Sequence, residues 1–537
     1  MKYTLLALLF TLSLLTKAQS QMDVLHYRFE IALNDLNDSI VGTAYIKLKT
    51  PKSDSLLAFD LSSINAETGK GMLVTSVAHS GNPSNILFPT IHPYSHSSSK
   101  LIIRGWKDRN SSDTLNIMIR YRGIPADGLI ISKSKFGRRT FFSDNWPDRA
   151  RQWIPTNDIP GDKASVEFIV TAPSHYKVVS NGVLSGETSL GNGSTVTHWK
   201  EEKPLPTKIM VIGVADFSID TSGIVDGIPV TSWVFPENAK EGFRDYAPAK
   251  DILKFFIDYI GPYPYKKLAN VQSKTTFGGM ENASAIFYYE NSVTGEQQEE
   301  GLIAHEVAHQ WFGDMVTEKN YSHLWLSEGF ATQLKHYYLE KRHGFKRARI
   351  DLEEDRDQVI AFVATSNRTV VDSISTFKQL LNANSYQKGG WILHMLRRKV
   401  GDDVYRNIIR EFYAAYASKN ADTRDFQAIA EKVYGRKLDV FFQQWLYSPG
   451  IPKLDLRWKY DGSKKEFVLV VTQLQSNPFE FPLELSLSVG NGKKITKRLD
   501  ISRARQEFRI PISSTVHRVI ADPNTSLLFQ GNVSKLP

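Results

Sequence analysis

The chain has 537 residues, a formal net charge of +9 and no cysteine. This length exceeds what one hydrophobic core accommodates, so several domains are expected. The lack of cysteine excludes disulfides, thiol chemistry and a lipidated N-terminal cysteine. The basic segments near Lys135 and after Glu340 lack aromatic interleaving and any nucleic-acid motif, which argues against nucleic acid as a partner.

The N-terminus has the layout of a cleaved secretory signal. Lys2 precedes an apolar run from Leu5 to Leu15, and small and polar residues follow around Ala18. The run is too short to span a bilayer. We interpret residues 1–21 as a signal peptide, with a buried N-terminal helix as the alternative. No later stretch is long and apolar enough for a transmembrane segment. We therefore expect an exported protein, periplasmic or extracellular and bacterial.

Short alternating segments fill the chain from Leu25 to Pro236, separated by Gly, Pro, Asn and Asp. Strand-length alternation without a helical period indicates an antiparallel β domain. We predict this N-terminal β domain over residues 22–238.

Helical periodicity begins near Lys240 and continues to about Tyr447. A hairpin-like patch, ANVQSKTTFGGMENASAIFYY, interrupts it. A mainly α domain with a small sheet is predicted over residues 239–450. Strand patterns return after the Pro/Gly cluster at Pro449–Pro452, which predicts a small β-sandwich over residues 451–537.

The segment HEVAHQWFGD, which begins at His305, indicates a metal site. His305 and His309 are four residues apart, so on a helix their side chains lie about 40° apart and one turn apart, within reach of one ion. Glu306 lies beside the first ligand, where a base that acts on water at the metal must be.

A third ligand follows in WLSEGFATQLKHYY. Glu328 comes after an 18-residue separation from His309, in a segment of helical period for which Ser327 is the expected N-cap. Two histidines and one glutamate with an open fourth position form the catalytic type of zinc site. The alternative for Glu328 is a first-turn acid stabilised by the helix dipole.

Three motifs in this order resemble the gluzincin aminopeptidases of the aminopeptidase N type, a family that also includes leukotriene hydrolase. The motifs are GGMEN at Gly278–Asn282, HEVAHQWFGD with WLSEGFAT, and YQKGGWILHML at Tyr386. The resemblance extends to ARQWIPTNDIPGDKA in the N-terminal region. It implies an α+β multidomain fold with an N-terminal antiparallel β domain, a thermolysin-like mainly α catalytic domain and a small C-terminal β-sandwich.

The resemblance also implies an activity, a zinc-dependent aminopeptidase acting on peptides with a free N-terminus. One zinc ion per chain would activate a water, Glu306 would be the general base and Tyr386 would stabilise the oxyanion. Glu281 would pair with the α-ammonium group of the substrate. The implied substrate-binding residues are Gly278, Gly279, Met280, Glu281 and Asn282.

The sequence departs from the family at SDNWPDRAR, where many members read T-Q-x-E-P-x-x-A-R. Trp146 takes the position that often helps to bind the substrate amine. Three interpretations stay open: Asp144 or Asp148 substitutes, Glu281 acts alone, or Trp146 narrows the pocket for the first side chain. We count Asp144 and Trp146 as pocket residues.

Longer members continue into a large helical C-terminal domain, which we do not expect here. Two functional alternatives remain: a zinc endopeptidase or other hydrolase on the same core, and an inactive binding protein that keeps the fold.

Overall fold

A computed structural model of the chain describes residues 22–49, 56–79, 90–104, 114–490 and 492–536. The predicted signal peptide, residues 1–21, lies outside this range. The described residues form two compact units. The first comprises the described part of Met1–Asn320 with Tyr416–Asn420, and the second that of Tyr321–Ala415 with Ala421–Pro537.

The first unit begins with seventeen strands among its described residues. In chain order they are β1 (Asp23–Ala32), β2 (Ile40–Lys49), β3 (Leu56–Asp60), β4 (Gly71–His79), β5 (Thr90–Ile91), β6 (Tyr94–Ser97), β7 (Lys100–Arg104), β8 (Thr114–Ile124), β9 (Leu129–Lys133), β10 (Arg139–Ser143), β11 (Lys163–Pro173), β12 (Lys177–Ser180), β13 (Val183–Ser189), β14 (Ser194–Pro206), β15 (Ile212–Ala215), β16 (Ser218–Val225) and β17 (Ile228–Val234).

The largest sheet has the strand order β13-β14-β11-β1-β2-β8-β4-β5. Alternation of apolar and polar residues explains why these segments form strands. In β11, KASVEFIVTAP, every second side chain is buried, as expected when one face covers a core and the other meets solvent. Most neighbours are antiparallel, whereas β1 and β11 pair in parallel. Smaller sheets have the orders β12-β15-β10-β9 and β3-β7-β6.

The rest of the first unit carries the predicted zinc motif. It contains α1 (Ala239–Tyr246), α2 (Ala249–Tyr259), β18 (Leu268–Ser273), β19 (Gly279–Met280), β20 (Ala285–Tyr289), α3 (Glu300–His309) and β21 (Val316–Glu318).

A five-stranded sheet of order β16-β17-β18-β20-β19 contains the GGMEN segment at its edge. The hairpin interpretation of this patch is wrong for its main pair, because β18 and β20 run parallel. Only the two-residue β19 pairs antiparallel with β20. The sheet joins strands from both sides of the predicted 238/239 boundary. This boundary and the one at 450/451 stay predictions.

The second unit is helical in its first part. Its helices are α4 (Trp325–His343), α5 (Phe345–Thr365), α6 (Phe377–Leu380), α7 (Gly389–Val400), α8 (Asp402–Tyr416), α9 (Thr423–Tyr434) and α10 (Asp439–Leu446), with a π-helical turn at Asn384–Lys388. The short strand β22 (Lys419–Ala421) lies between α8 and α9 in the chain, but most of it belongs to the first unit, and it pairs with β21.

Local signals set several of these boundaries. Asp422 caps α9 by accepting hydrogen bonds from two backbone amides of the first turn, and Gly435 ends the helix in the left-handed conformation. The expected N-cap at Ser327 is wrong: α4 already begins at Trp325, so Ser327 lies within its first turn. Trp325 and Leu326 are buried, and burying them inside the helix outweighs the local capping preference of serine.

The second unit ends in two sheets, of orders β27-β24-β23-β29 and β26-β25-β28. Their strands are β23 (Lys453–Asp461), β24 (Glu466–Gln473), β25 (Phe481–Val489), β26 (Lys493–Ile501), β27 (Arg505–Pro511), β28 (Val516–Ala521) and β29 (Gln530–Lys535). No helix follows α10 in residues 447–490 and 492–536.

These elements confirm the predicted fold class. A β-rich N-terminal region precedes a helical region, and β-sheets close the described chain. None of the helices in the described ranges is both long and apolar enough to cross a bilayer.

A buried ion pair in the first unit provides a stability prediction. Lys208 Nζ lies 2.5 Å from Glu318 Oε1, and both side chains are almost completely inaccessible to solvent. Replacing one partner of such a pair costs about 3–5 kcal/mol, because a charge is left in a medium that solvates it poorly. We expect Lys208→Met to lower the free energy of unfolding by about this amount in urea denaturation.

The double variant Lys208→Met/Glu318→Gln is the control. It removes both charges and should lose less stability than Lys208→Met alone. Equal losses in the two variants would mean that the side-chain volume of Lys208, and not its charge, stabilises the unit.

Candidate active site

The two predicted zinc ligands of the first unit lie together at the end of α3. His305 Nε2 and His309 Nε2 are 3.1 Å apart, and the ring planes are inclined by 82°. His309 Nδ1 is 3.1 Å from the carbonyl oxygen of Phe312, which leaves Nε2 as the nitrogen available to a metal. The two imidazoles belong to a His/Glu group that could hold a metal ion.

Zinc fits this donor set. Tetrahedral zinc with Zn–N bonds of about 2.0–2.1 Å places two ligand nitrogens about 3.3 Å apart. The observed 3.1 Å between the imidazole nitrogens is close to that separation. The pair therefore needs only a small adjustment to bind one ion.

Two buried carboxylates accompany His309. One ligand-type atom each of Glu281, Glu306 and His309 lies within 4.8 Å of the other two. Glu306 follows directly after His305 on α3, and its carboxylate lies against the backbone of Gly279: a Cβ atom built on Gly279 would overlap it. Because Gly279 has no side chain, there is room for the Glu306 carboxylate at this position.

The GGMEN segment is an edge strand. Gly279 and Met280 pair with Tyr288 and Phe287 of β20, and β19 ends the strand order of its sheet. An edge strand can accept an added extended peptide through main-chain hydrogen bonds. Asn282, in the turn that follows, is fully buried, and its side-chain amide has no hydrogen-bond partner among the described residues.

Two buried charged groups that the sequence did not reveal, Asp314 and Lys208, interact electrostatically with Glu281. Burial and the neighbouring Glu281 carboxylate raise the pKa of Asp314 well above its usual value, and His309 and Lys208 oppose this shift. Burial lowers the pKa of Lys208, yet Glu318 and Glu281 more than compensate and the net pKa is raised. The acidic groups of the site are thus balanced by at least one buried cation.

Asp144 and Trp146 form a packed cluster with the residues before GGMEN. Asp144 Oδ1 is 2.5 Å from Arg149 Nη2, and its Oδ2 accepts hydrogen bonds from Thr275 and Thr276. The buried Trp146 ring contacts the Phe277 ring at 5.7 Å in an edge-on arrangement. Their role as pocket residues stays a prediction, and the Asp144 carboxylate already has several partners within the protein.

Asp148 is placed differently. Its half-exposed side chain lies 3.5 Å from Arg151 Nη2. It too has a cationic partner in the protein.

Glu328 and Tyr386 lie in the second unit. Glu328 lies in the first turn of α4 and is only 4% exposed. Tyr386 is half-buried in the π-helical turn Asn384–Lys388, a type of turn that is frequent at functional sites. Lys388 Nζ donates to the carbonyl oxygen of Gly450, which fixes the end of this turn.

Two glycines bring the helices of Glu328 and Tyr386 into close contact. A Cβ atom on Gly329 would overlap the backbone of Gly389, and one on Gly389 would approach the backbone of Gly329 too closely. Such an approach is open only to residues without side chains. The glycines after Glu328 and Tyr386 therefore set the distance between their backbones.

Sequence reasoning missed Gln310, Asp314, Lys208 and Glu318. Gln310 and Asp314 lie inside the HEVAHQWFGD segment, and their polarity next to apolar Trp311 and Phe312 was a usable signal. Lys208 and Glu318 are 110 residues apart, and nothing in the local sequence pairs them.

Comparison with known proteins identifies the family. Residues 245–445 match the Peptidase family M1 domain, and residues 24–209 match the Peptidase M1 N-terminal domain. The chain belongs to peptidase family M1, an aminopeptidase family.

Several relatives are aminopeptidases by name. The chain is 26% identical over 423 residues to leucyl aminopeptidase of Saccharolobus solfataricus, covering 72% of this chain and 52% of that protein. It is 28% identical over 361 residues to glutamyl aminopeptidase of Sus scrofa, covering 63% of this chain and 37% of that protein. The chain thus spans about half, or less, of the length of these relatives.

A solved structure shares the fold. Legionella pneumophila aminopeptidase A, in complex with aspartic acid, superposes with a TM-score of 0.80 at 17% identity, covering 95% of this chain and 60% of that chain. This likeness shows a common fold.

Proposed function

We propose that the chain is a zinc-dependent aminopeptidase that hydrolyses the N-terminal peptide bond of peptides. The observation that carries the proposal is the grouping of Glu281, Glu306 and His309, with one ligand-type atom of each within 4.8 Å of the others. A carboxylate for the substrate amine then lies about one residue's length from the base and the metal, since consecutive Cα atoms are 3.8 Å apart. Only the first peptide bond would reach the base.

His305, His309 and Glu328 are the proposed zinc ligands. The nitrogen separation at the two histidines supports the first pair. For Glu328 the support is its spacing from His309, its burial in the first turn of α4 and the resemblance to the family's zinc-binding core. A zinc ion bound there would polarise the peptide carbonyl and make water more acidic.

Glu281 and the edge strand bind the substrate in this proposal. The Glu281 carboxylate pairs with the α-ammonium group, a charge-assisted contact that is stronger than a neutral hydrogen bond. The peptide backbone extends along β19, whose outer edge is not covered by another strand of its sheet. Because Asp144 is engaged by Arg149, Thr275 and Thr276, Glu281 is the carboxylate we assign to the amine.

Glu306 and Tyr386 carry out the chemistry on the substrate. Glu306 takes a proton from the attacking water and passes it to the leaving amine. Tyr386 donates its hydroxyl hydrogen to the developing oxyanion, a contact typically worth about a hundredfold to a thousandfold in rate. Its π-helical position and partial burial support a role at a substrate.

Metal removal and substrate blocking test the proposal. We expect the purified protein to release the first residue from aminoacyl-arylamides, to lose this activity with a chelator and to regain it with zinc. N-acetylated substrates should be cut at least about a hundredfold more slowly, because they cannot form the ammonium–carboxylate contact.

Other outcomes identify the alternatives. Cleavage of blocked peptides at internal bonds would indicate a zinc endopeptidase on the same core. A protein that binds zinc and hydrolyses none of these substrates would be an inactive binding protein.

A pair of glycine variants tests the assignment of Glu306. In Gly279→Ala the new Cβ must displace the Glu306 carboxylate, and a misplacement of about 1 Å can cost about a hundredfold in rate. We expect turnover to fall by about this factor while zinc content, measured by elemental analysis, is unchanged.

Gly186→Ala, in strand β13, is the control for a Gly→Ala change outside the site. A Cβ atom on Gly186 would meet nothing within 4 Å, so the rate should stay close to that of the wild type. If Gly279→Ala also keeps the wild-type rate, Glu306 in this position is not the base.

We also propose that the protein is exported after removal of residues 1–21, on the basis of the apolar run Leu5–Leu15 and the polar segment after it. N-terminal sequencing of the protein from bacterial cells should give a chain that begins near Met22. A mature protein that retains Met1 would contradict this.

A further inference from the structure

The turn that carries Glu281 has an unusual backbone. Ala285 N–H donates to the carbonyl oxygen of Asn282 at 3.0 Å, which closes the turn between β19 and β20. Ser284 in this turn has a φ of 62°, in the left-handed region. A residue with a side chain is strained in this region and stays there only when its surroundings hold it.

The side chain of Gln310 spans this turn. Its Nε2 donates to the carbonyl oxygen of Glu281 at 2.8 Å, and its Oε1 accepts the N–H of Ser284 at 2.8 Å. The amide thus bonds to both ends of the segment Glu281–Ser284, as a neighbouring strand would. Gln310 is 0% exposed, so water does not compete for these bonds.

The Gln310 amide has two further partners. Nε2 donates to Asp314 Oδ2 at 2.9 Å, and Oε1 accepts from the Tyr263 hydroxyl at 3.2 Å. Both donor hydrogens and one acceptor lone pair of the amide are satisfied, and the single Tyr263 hydroxyl hydrogen is shared between Gln310 Oε1 and the carbonyl oxygen of Lys267. Its orientation is fixed, because the flipped amide would direct its oxygen at the Glu281 carbonyl and the Asp314 carboxylate.

Other buried groups hold the far side of the same turn. Asn181 Nδ2 donates to the carbonyl oxygen of Ala283 at 2.7 Å. Lys267 Nζ lies 3.1 Å from both the carbonyl oxygen and the hydroxyl of Ser284. Asn181 and Lys267 thus anchor the turn to the sheets. Of the three residues that hold the turn, only Gln310 belongs to the segment next to the zinc motif.

We propose that Gln310 is a positioning residue that fixes the Glu281 carboxylate relative to His309 and so restricts cleavage to the first peptide bond. Gln310 directly follows His309 and caps α3. The imidazole and the turn that bears Glu281 are therefore connected through one residue. This proposal rests on the proposed function. It adds an explanation of how the distance between the amine-binding carboxylate and the metal is maintained.

The amide-to-acid change Gln310→Glu tests the proposal. It keeps the shape and the acceptor for Ser284 but replaces the donor to the Glu281 carbonyl. We expect KM for free-amine substrates to rise at least about tenfold. The preference for free-amine over N-acetylated substrates should fall by a similar factor, with a smaller change in kcat and one zinc per chain retained.

Gln272→Glu is the matched control. Gln272 is also fully buried, accepts the N–H of Phe235 at 2.9 Å and donates to the carbonyl oxygen of Glu290 at 2.8 Å. The same change there should leave KM and the substrate preference unaltered. If Gln310→Glu and Gln272→Glu behave alike, Gln310 contributes stability only and the proposal is overturned.

A measurement on the wild type covers the case in which Gln310→Glu does not fold. The Ser284 amide hydrogen should exchange with solvent as slowly as the amides of β20 in hydrogen–deuterium exchange. Exchange at the rate of an unstructured amide would overturn the contact with Gln310.

Failure of the proposed function has a different signature. A wild-type protein that cuts free and N-acetylated substrates equally would refute the aminopeptidase. A selective wild type whose Gln310→Glu variant is equally selective would refute only the role of Gln310.

Discussion

Two imidazole nitrogens, 3.1 Å apart on one helix, are the constraint around which the first unit is organised. The chain after α3 folds back on this helix end: Asp314 N–H donates to the His309 carbonyl, and the Phe312 carbonyl lies against the His309 ring. This folding also fixes Gln310 and, through it, the turn that carries Glu281. His309 and Glu281, the proposed ligand and amine-binding carboxylate, are therefore held by main-chain geometry and not by flexible side chains alone.

Placing several carboxylates close together in a buried site is electrostatically unfavourable. Glu281, Glu306, Asp314 and Glu318 are all buried, and burial of an unpaired carboxylate is strongly unfavourable. Lys208 pairs with Glu318 in this region, and Lys163 Nζ donates to the carbonyl oxygens of Asp314 and Met315, with burial lowering the pKa of Lys163 to about 7. Preorganisation of the proposed active site depends on such charged neighbours, since it works by holding charges where solvent is excluded.

Glycines have a structural role wherever functional side chains must lie close to backbone. Gly279 makes room for the Glu306 carboxylate in the first unit, and Gly329 and Gly389 allow two helices of the second unit to touch. The sequence motifs contain these glycines, but a motif does not show which atoms occupy the space that a glycine leaves beside its backbone. For Gly278 the neighbouring space holds only methyl groups at 3.9 Å, so two adjacent glycines of one motif have different surroundings.

The sequence by itself determined the features that depend on local periodicity and spacing. A strand repeats its geometry every two residues and a helix about every four. These periods account for the alternation in β11, the strand and helix regions, and the one-turn separation of His305 and His309. Only the tertiary structure decided the parallel pairing of β18 with β20, the start of α4 before Ser327, and the partners of Gln310, Lys208 and Asp144. These contacts join residues far apart in the chain, and a local pattern carries no information about which distant residue fills a buried hydrogen-bonding or charged position.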